Sequence, residues 1–131
     1  MAMANAYQRY REQDVTMANP MTLIVMLYNG CIKQLKLAQI AIDQKCFEDV
    51  NTHLKKAQNI ISELVNSLDL SYPISNDLMT LYDFMLRELI QANMSKDRNK
   101  LEPVIRMLSS LRDTWSQVEK TCRSPYELSE S

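Results

Sequence analysis

A catalytic or metal site needs clustered histidine, cysteine or carboxylate side chains, and this sequence offers few of them. The single histidine, His53, follows Asp49 by one turn of a helical pattern. No serine or cysteine stands in a recognisable motif that would make it a nucleophile activated by this histidine. The Glu-x-x-His motif of di-metal centres in helical bundles does not occur. We therefore expect no enzyme, no metal and no other cofactor, and interpret His53 as a partly solvated helix residue.

The three cysteines indicate a reducing compartment. Cys31, Cys46 and Cys122 form no C-x-x-C pair, and an odd number cannot all pair within one chain. No signal-peptide core occurs in the first twenty residues. The longest nearly apolar run, Met21 to Tyr28, is far shorter than the roughly 20 residues that cross a bilayer. The sequence predicts a cytoplasmic protein without direct membrane insertion.

Composition indicates one helical domain. The chain has 131 residues, 46% of them hydrophobic and 24% charged, with a single glycine and four prolines. All-β folds and phosphate-binding loops need more glycine than this. Fifteen basic against sixteen acidic residues give a net charge of −1. Because DNA and RNA binding requires a basic excess, we expect no nucleic acid partner.

The elements that must position any functional residue are four segments with helical periodicity. We number the segments as helices 1 to 4 in chain order. Helix 2 carries apolar residues at alternating spacings of three and four, which is typical of a helix packed lengthwise in a bundle. Short breaks between the segments favour an all-α, antiparallel up-down four-helix bundle over residues 19–122. We assign residues 1–18 to an N-terminal capping segment and residues 123–131 to a disordered tail. Asn99 is the expected N-cap of the fourth helix, and Glu102 completes a capping box with it. The predicted helices are Pro20 to Gln44, Phe47 to Asp69, Ser75 or Asn76 to Asn93, and Asn99 to Cys122.

Two of these helices carry more apolar residues than one buried face requires. Helices 2 and 4 each show one seam that a bundle should bury entirely, whereas the start of helix 1 and most of helix 3 are apolar on more than one side. This surplus apolar surface is covered either by the N-terminal stretch or by a segment of a partner protein. Both interpretations hold if the partner displaces the N-terminal stretch. Tyr7 and Tyr10 lie on one side of that stretch, which is too short to be a stable helix alone, so they must dock on something to become ordered. The alternative is that the stretch is a frayed terminus. The predicted partner-binding residues are Tyr7, Tyr10, Leu23, Met26, Tyr28, Ile60, Leu64, Leu81 and Tyr82.

Five stretches in register resemble the flagellin-specific export chaperones, the FliS family. The resemblance covers residues 5 to 118, nearly the whole domain. Two departures are modest, with Asn29 where Asp is usual and Asn19 where Ser is common. The stretches are Ala6 to Pro20 with Leu23 to Gly30, Lys56 to Leu64, Leu81 to Met85, Ala92-Asn93, and Leu111 to Trp115.

The resemblance implies a cytoplasmic chaperone without catalytic turnover. Such a chaperone binds the C-terminal segment of flagellin, prevents its premature polymerisation and delivers it to the gate of the flagellar type III export apparatus. The resemblance also implies that the N-terminal segment moves when flagellin binds, and that Tyr7 and Tyr10 help the loaded chaperone contact the export gate. We expect a monomer or weak homodimer. The alternative is a structural or regulatory bundle that forms homo-oligomers through the same apolar faces.

Overall fold

A computed structural model describes the backbone of residues 20–130 and the side chains of residues 21–121. The described part contains α-helices and one short 3₁₀ helix, Arg98–Lys100. Strands are absent from residues 20–130. The α-helices are α1 (Pro20–Asp43), α2 (Phe47–Asn66), α3 (Pro73–Ser95) and α4 (Leu101–Glu130).

The helices form a ring in chain order, which confirms the predicted all-α bundle. Helix α1 packs against α2 and α4, and α2 packs against α3. Helices α3 and α4 make the fewest close backbone approaches of any neighbouring pair. In the α1–α2 pair, the thiol of Cys31 donates to the Ala57 carbonyl at 3.7 Å, and Nδ1 of His53 donates to Oε1 of Gln34 at 2.8 Å. Residue numbers rise along α1 while those of the contacting residues in α2 fall, so the two helices are antiparallel.

One apolar core runs through the middle of the bundle. The seam of α2 is buried from Val50 to Leu64, but Phe47 at its start is 48% exposed and Leu68 at its end is half-buried, so it is not buried entirely as predicted. The seam of α4 is buried only as far as Leu108, and Leu111 and Trp115 are half-buried. The expectation that a bundle buries the α4 seam entirely is therefore wrong for the second half of this helix. The largest fully buried side chains include Tyr28, Tyr82, Leu35, Leu54, Ile61, Leu64, Met85, Leu89, Leu101 and Leu108.

Two helices end on lysines in the left-handed conformation. Lys45 has φ 59°, and the amides of Lys45 and Cys46 bond the carbonyls of Ile42 and Ala41. This pattern of bonds is the Schellman motif that closes a helix C-terminus. Lys96 has φ 56°, and its amide bonds the Ala92 carbonyl at 2.7 Å. The sharp turns after α1 and α3 therefore form without glycine, at a conformational cost of about 1 kcal/mol each.

The connection between α2 and α3 corrects two predicted boundaries. Helix α2 ends at Asn66 rather than Asp69, and the Ser67 hydroxyl just past its end donates to the Leu64 carbonyl at 2.7 Å. Helix α3 begins at Pro73 rather than at Ser75, since proline at the first helical position needs no amide partner. Ser75 is buried, and its hydroxyl donates to the Asp69 carbonyl. It ties the loop to the helix instead of capping α3.

The start of α4 also differs from the prediction. Asp97, not Asn99, is the capping residue, and it caps the 3₁₀ helix that leads into α4, since its carboxylate accepts the Asn99 amide at 3.0 Å. Glu102 does not complete a capping box. Its Oε1 accepts Nε2 of the buried Gln39 at 3.0 Å, which links α4 to α1. The local capping pattern was overridden because a buried amide requires a hydrogen-bond partner.

Helix α4 continues to Glu130, past Cys122. The helix therefore includes the backbone of residues 123–130, which the sequence analysis assigns to a disordered tail. Extending an existing helix adds a hydrogen bond per residue without a new nucleus, which explains why a polar sequence can continue it. None of the described helices combines the length and the apolar character that a membrane span requires.

We expect stability to fall steeply at alkaline pH. Burial raises the pKa of the Cys31 thiol from 9.0 to about 12. It also raises the pKa of the Tyr28 and Tyr82 hydroxyls above 10.0. The unfolded chain therefore loses these protons first, so stability is complete below pH 9 and declines as the pH rises towards 12. Each group contributes a slope of about 1.4 kcal/mol per pH unit within its window.

The measurement is the free energy of unfolding between pH 8 and pH 11. Cys31→Ala should flatten the decline, because it removes a group whose pKa burial raises. Cys46→Ala is the matched control, since Cys46 is exposed at the α1–α2 turn. Equal pH slopes for the wild type and Cys31→Ala would contradict the assignment.

Candidate partner-binding surface

Most of the predicted partner-binding residues lie in the core rather than on a surface. Leu23, Tyr28, Ile60, Leu64 and Tyr82 are all buried, so each offers a partner little or no surface in this state. Periodicity alone could not separate these residues from their exposed neighbours, because the helices that carry them are apolar on several sides.

Four predicted residues remain outside the core. Met26 is 46% exposed on α1, and Leu81 is half-buried on α3. Helices α1 and α3 stand diagonally across the bundle, so these two side chains belong to separate surfaces. Tyr7 and Tyr10 lie outside the described residues.

Tyr28 and Tyr82 join the two diagonal helices through the centre of the core. Their rings lie 6.5 Å apart, and their hydroxyls hydrogen-bond each other. Burial is the main cause of the raised pKa of both tyrosines. For Tyr28, hydrogen bonding to Tyr82 and to the Trp115 indole partly offsets this rise in pKa. A buried polar contact across the diagonal satisfies groups that would otherwise be costly, and it fixes the relative height of α1 and α3.

Along the outer side of the α1–α2 contact lie Met26, Leu27, Gly30, Leu37 and Ile60, and we call this surface the α1–α2 groove. Gly30 and Leu37 are two turns apart on the flank of α1 that also carries Gln34, the partner of His53 in α2. Leu27, Gly30 and Leu37 are half-buried, and Ile60 is buried beneath them. Glycine within a helix costs about 0.5–1 kcal/mol relative to alanine. The centre of the groove, at Gly30, therefore carries no side chain although a helix-forming residue would be more stable there.

A second apolar surface lies between α3 and α4, formed by Leu81, Phe84, Met107, Leu111 and Trp115, which we call the α3–α4 cleft. Phe84 is 38% exposed and the other four are half-buried. Phe84 shares a flank of α3 with Gln91, which accepts a hydrogen bond from Lys100 beside α4. Because α3 and α4 approach each other least, the facing apolar side chains are only partly covered.

Sequence reasoning missed the α4 side of this cleft. Leu111 and Trp115 continue the spacing of a buried seam, so their pattern predicts core. The available signal was Trp115, since a large aromatic residue with a polar group is well suited to a partly exposed contact. No group of three or more metal-ligating side chains occurs among the described residues.

Comparison with known proteins identifies the family. The model of the family described as "Flagellar protein FliS" matches residues 3–122, which is most of the chain. The chain belongs to the FliS family. The flagellar secretion chaperone FliS of Bacillus subtilis is 41% identical over 117 residues, covering 89% of this chain and 88% of the relative. That of Salmonella typhimurium is 36% identical over 110 residues, covering 82% of each chain.

A solved structure supports the fold independently. A crystal structure of a bacterial flagellar chaperone superposes with a TM-score of 0.75 at 21% identity, covering 90% of this chain and 98% of that one. The FliS family is one of chaperones and not of enzymes. This protein is therefore a flagellar secretion chaperone, and its functional surfaces are those that bind a flagellar protein.

Proposed function

We propose that this FliS protein binds the C-terminal segment of flagellin, prevents its premature polymerisation and delivers it to the flagellar export gate in the cytoplasm. The observation that carries the proposal is the match to flagellar secretion chaperones over more than four fifths of the chain. The resemblance of residues 5 to 118 to flagellin-specific export chaperones supplies the choice of flagellin. The two partly covered apolar surfaces support a partner that is a long segment rather than a folded domain.

Burial of apolar surface would drive the complex. An unfolded flagellin tail with amphipathic helices can lay its apolar faces along the α1–α2 groove and the α3–α4 cleft. Burying about 1,000 Å² of apolar surface contributes roughly 25 kcal/mol at about 25 cal/mol per Å². Ordering the tail and the side chains it meets consumes much of this gross gain. A segment buried on the chaperone cannot join a filament, which would prevent early polymerisation.

The N-terminal segment completes the proposal. Residues 1–18 would cap the apolar surface in the free chaperone and move when flagellin binds. Tyr7 and Tyr10 would then be available to the export gate. Replacing both by alanine should impair secretion even where flagellin binding survives.

The test uses the full-length chaperone and a peptide of the flagellin C-terminal segment. Size-exclusion chromatography with light scattering should show a monomer or weak dimer that forms a defined heterocomplex with the peptide. Hydrogen exchange should change in residues 6–15 and slow along the two apolar surfaces. A larger homo-oligomer that ignores the peptide would contradict the proposal and favour the structural or regulatory bundle. Unchanged exchange in residues 6–15 with the peptide bound would contradict the displaceable cap alone.

A further inference from the structure

Gly30 is the only glycine in the chain, and it lies in the interior of α1. Glycine weakens a helix there because it has the greatest backbone freedom to lose on folding. Glycine is usually required where φ is positive or where two groups pack too closely for a Cβ atom. Either requirement would explain why a helix retains this residue.

Neither requirement arises within the described chain. Gly30 does not adopt a positive φ. A Cβ atom built at this position would meet Ile60 Cδ1 at 3.6 Å, which is an ordinary van der Waals contact. The fold of residues 20–130 would therefore accept alanine at position 30. Packing among residues 20–130 therefore does not explain the glycine, whereas a group that approaches α1 closely from outside these residues would explain it.

The charges beside Gly30 indicate what approaches. Lys33 and Lys56 are exposed, and they follow the groove one turn from Gly30 and Ile60. The hydrogen bond between Gln34 and His53 places them at about the same height on the two helices. Glu63 is half-buried on the other side of Ile60. The groove therefore runs from one negative charge, over an apolar floor, to two positive charges.

We propose that Gly30 is the point of closest approach between this chaperone and its bound flagellin segment. The occupant is an amphipathic helix that crosses the α1–α2 groove with a small residue over Gly30 and a carboxylate towards Lys33 and Lys56. This inference rests on the proposed function and adds the crossing point and the charged contact of the segment. A side chain at position 30 would push the helix outwards and reduce its contact with the floor of the groove.

The first test enlarges position 30 in the full-length chaperone and measures peptide affinity and thermal midpoint. Gly30→Ala should leave the thermal midpoint equal or higher, because alanine is the better helix former. It should nevertheless weaken binding of the flagellin C-terminal peptide by a few fold. Gly30→Leu should weaken binding by about tenfold or more, as overpacked contacts do. Lys36→Leu is the matched control, since Lys36 is exposed on the opposite flank of α1.

The second test reverses charge at the groove. Lys56→Glu should weaken binding and reduce its dependence on salt, whereas Lys55→Glu, an exposed neighbour on the other flank of α2, should change neither property. If Gly30→Leu is folded and binds like the wild type, the crossing point is wrong while the chaperone function stands. If the wild type itself does not bind the peptide, the proposed function fails and the inference fails with it.

Discussion

Replacing Met26 by glutamate should weaken the complex with the flagellin C-terminal segment by about tenfold or more, because a charge must be desolvated in an apolar contact. The same change should leave helicity and thermal midpoint nearly intact. Met26 is 46% exposed in the α1–α2 groove, and exposed positions carry little folding energy. Isothermal titration with the peptide and circular dichroism of the free chaperone measure the two effects separately.

Ile40→Glu is the matched control for this experiment. Ile40 is 52% exposed near the other end of α1, and it follows Gln39, which contacts α4. The two variants therefore place the same charge on one helix, inside and outside the proposed groove. Loss of affinity in both variants would indicate a general effect of charge on α1. Unfolding of Met26→Glu would place Met26 among the core residues.

Replacing Leu64 by alanine should lower the free energy of unfolding by about 2–5 kcal/mol, because it leaves a cavity in a closely packed core. Leu64 is 1% exposed, although the sequence placed it among the partner-binding residues. Leu70→Ala is the matched control, since Leu70 is 62% exposed in the following loop and should change stability by less than about 0.5 kcal/mol. Urea titration of both variants measures the difference.

A small loss of stability in Leu64→Ala would contradict the core assignment. If that variant were also as stable as Leu70→Ala but bound flagellin poorly, Leu64 would belong to the binding surface after all. The comparison therefore distinguishes a core role of Leu64 from a partner-binding role, which the apolar pattern of the sequence does not separate.

The local patterns of the sequence were sufficient for the elements and their order. The alternating spacing of three and four in α2 predicts a helix with one buried face, and Val50 to Leu64 are buried accordingly. Pro20 and Phe47 begin helices as predicted, since the signals that start a helix act over one or two turns. The family could also be identified at this level, because the matching stretches keep their order and spacing.

The start of α4 depended on a contact with another helix, whereas the boundaries between α2 and α3 depended on side-chain bonds within that connection. Ser75 and Glu102 carry cap-like sequence patterns, yet their side chains bond the Asp69 carbonyl and Gln39. A local cap satisfies one orphan amide, whereas a buried carbonyl or amide elsewhere can compete for the same side chain. For Glu102 the competing group, on Gln39, lies 63 residues away along the chain, beyond any local pattern.

The accessible surface was decided by tertiary structure alone. Helix α1 is apolar on several sides, and only its packing against α2 and α4 shows that Tyr28 is buried while Met26 is exposed. The seam of α4 continues unchanged through Leu111 and Trp115, yet the wider separation from α3 leaves both partly uncovered. Periodicity fixes which residues share a helix face. The distance between two neighbouring helices depends on every side chain between them. This distance is therefore not encoded in the spacing of apolar residues along either helix.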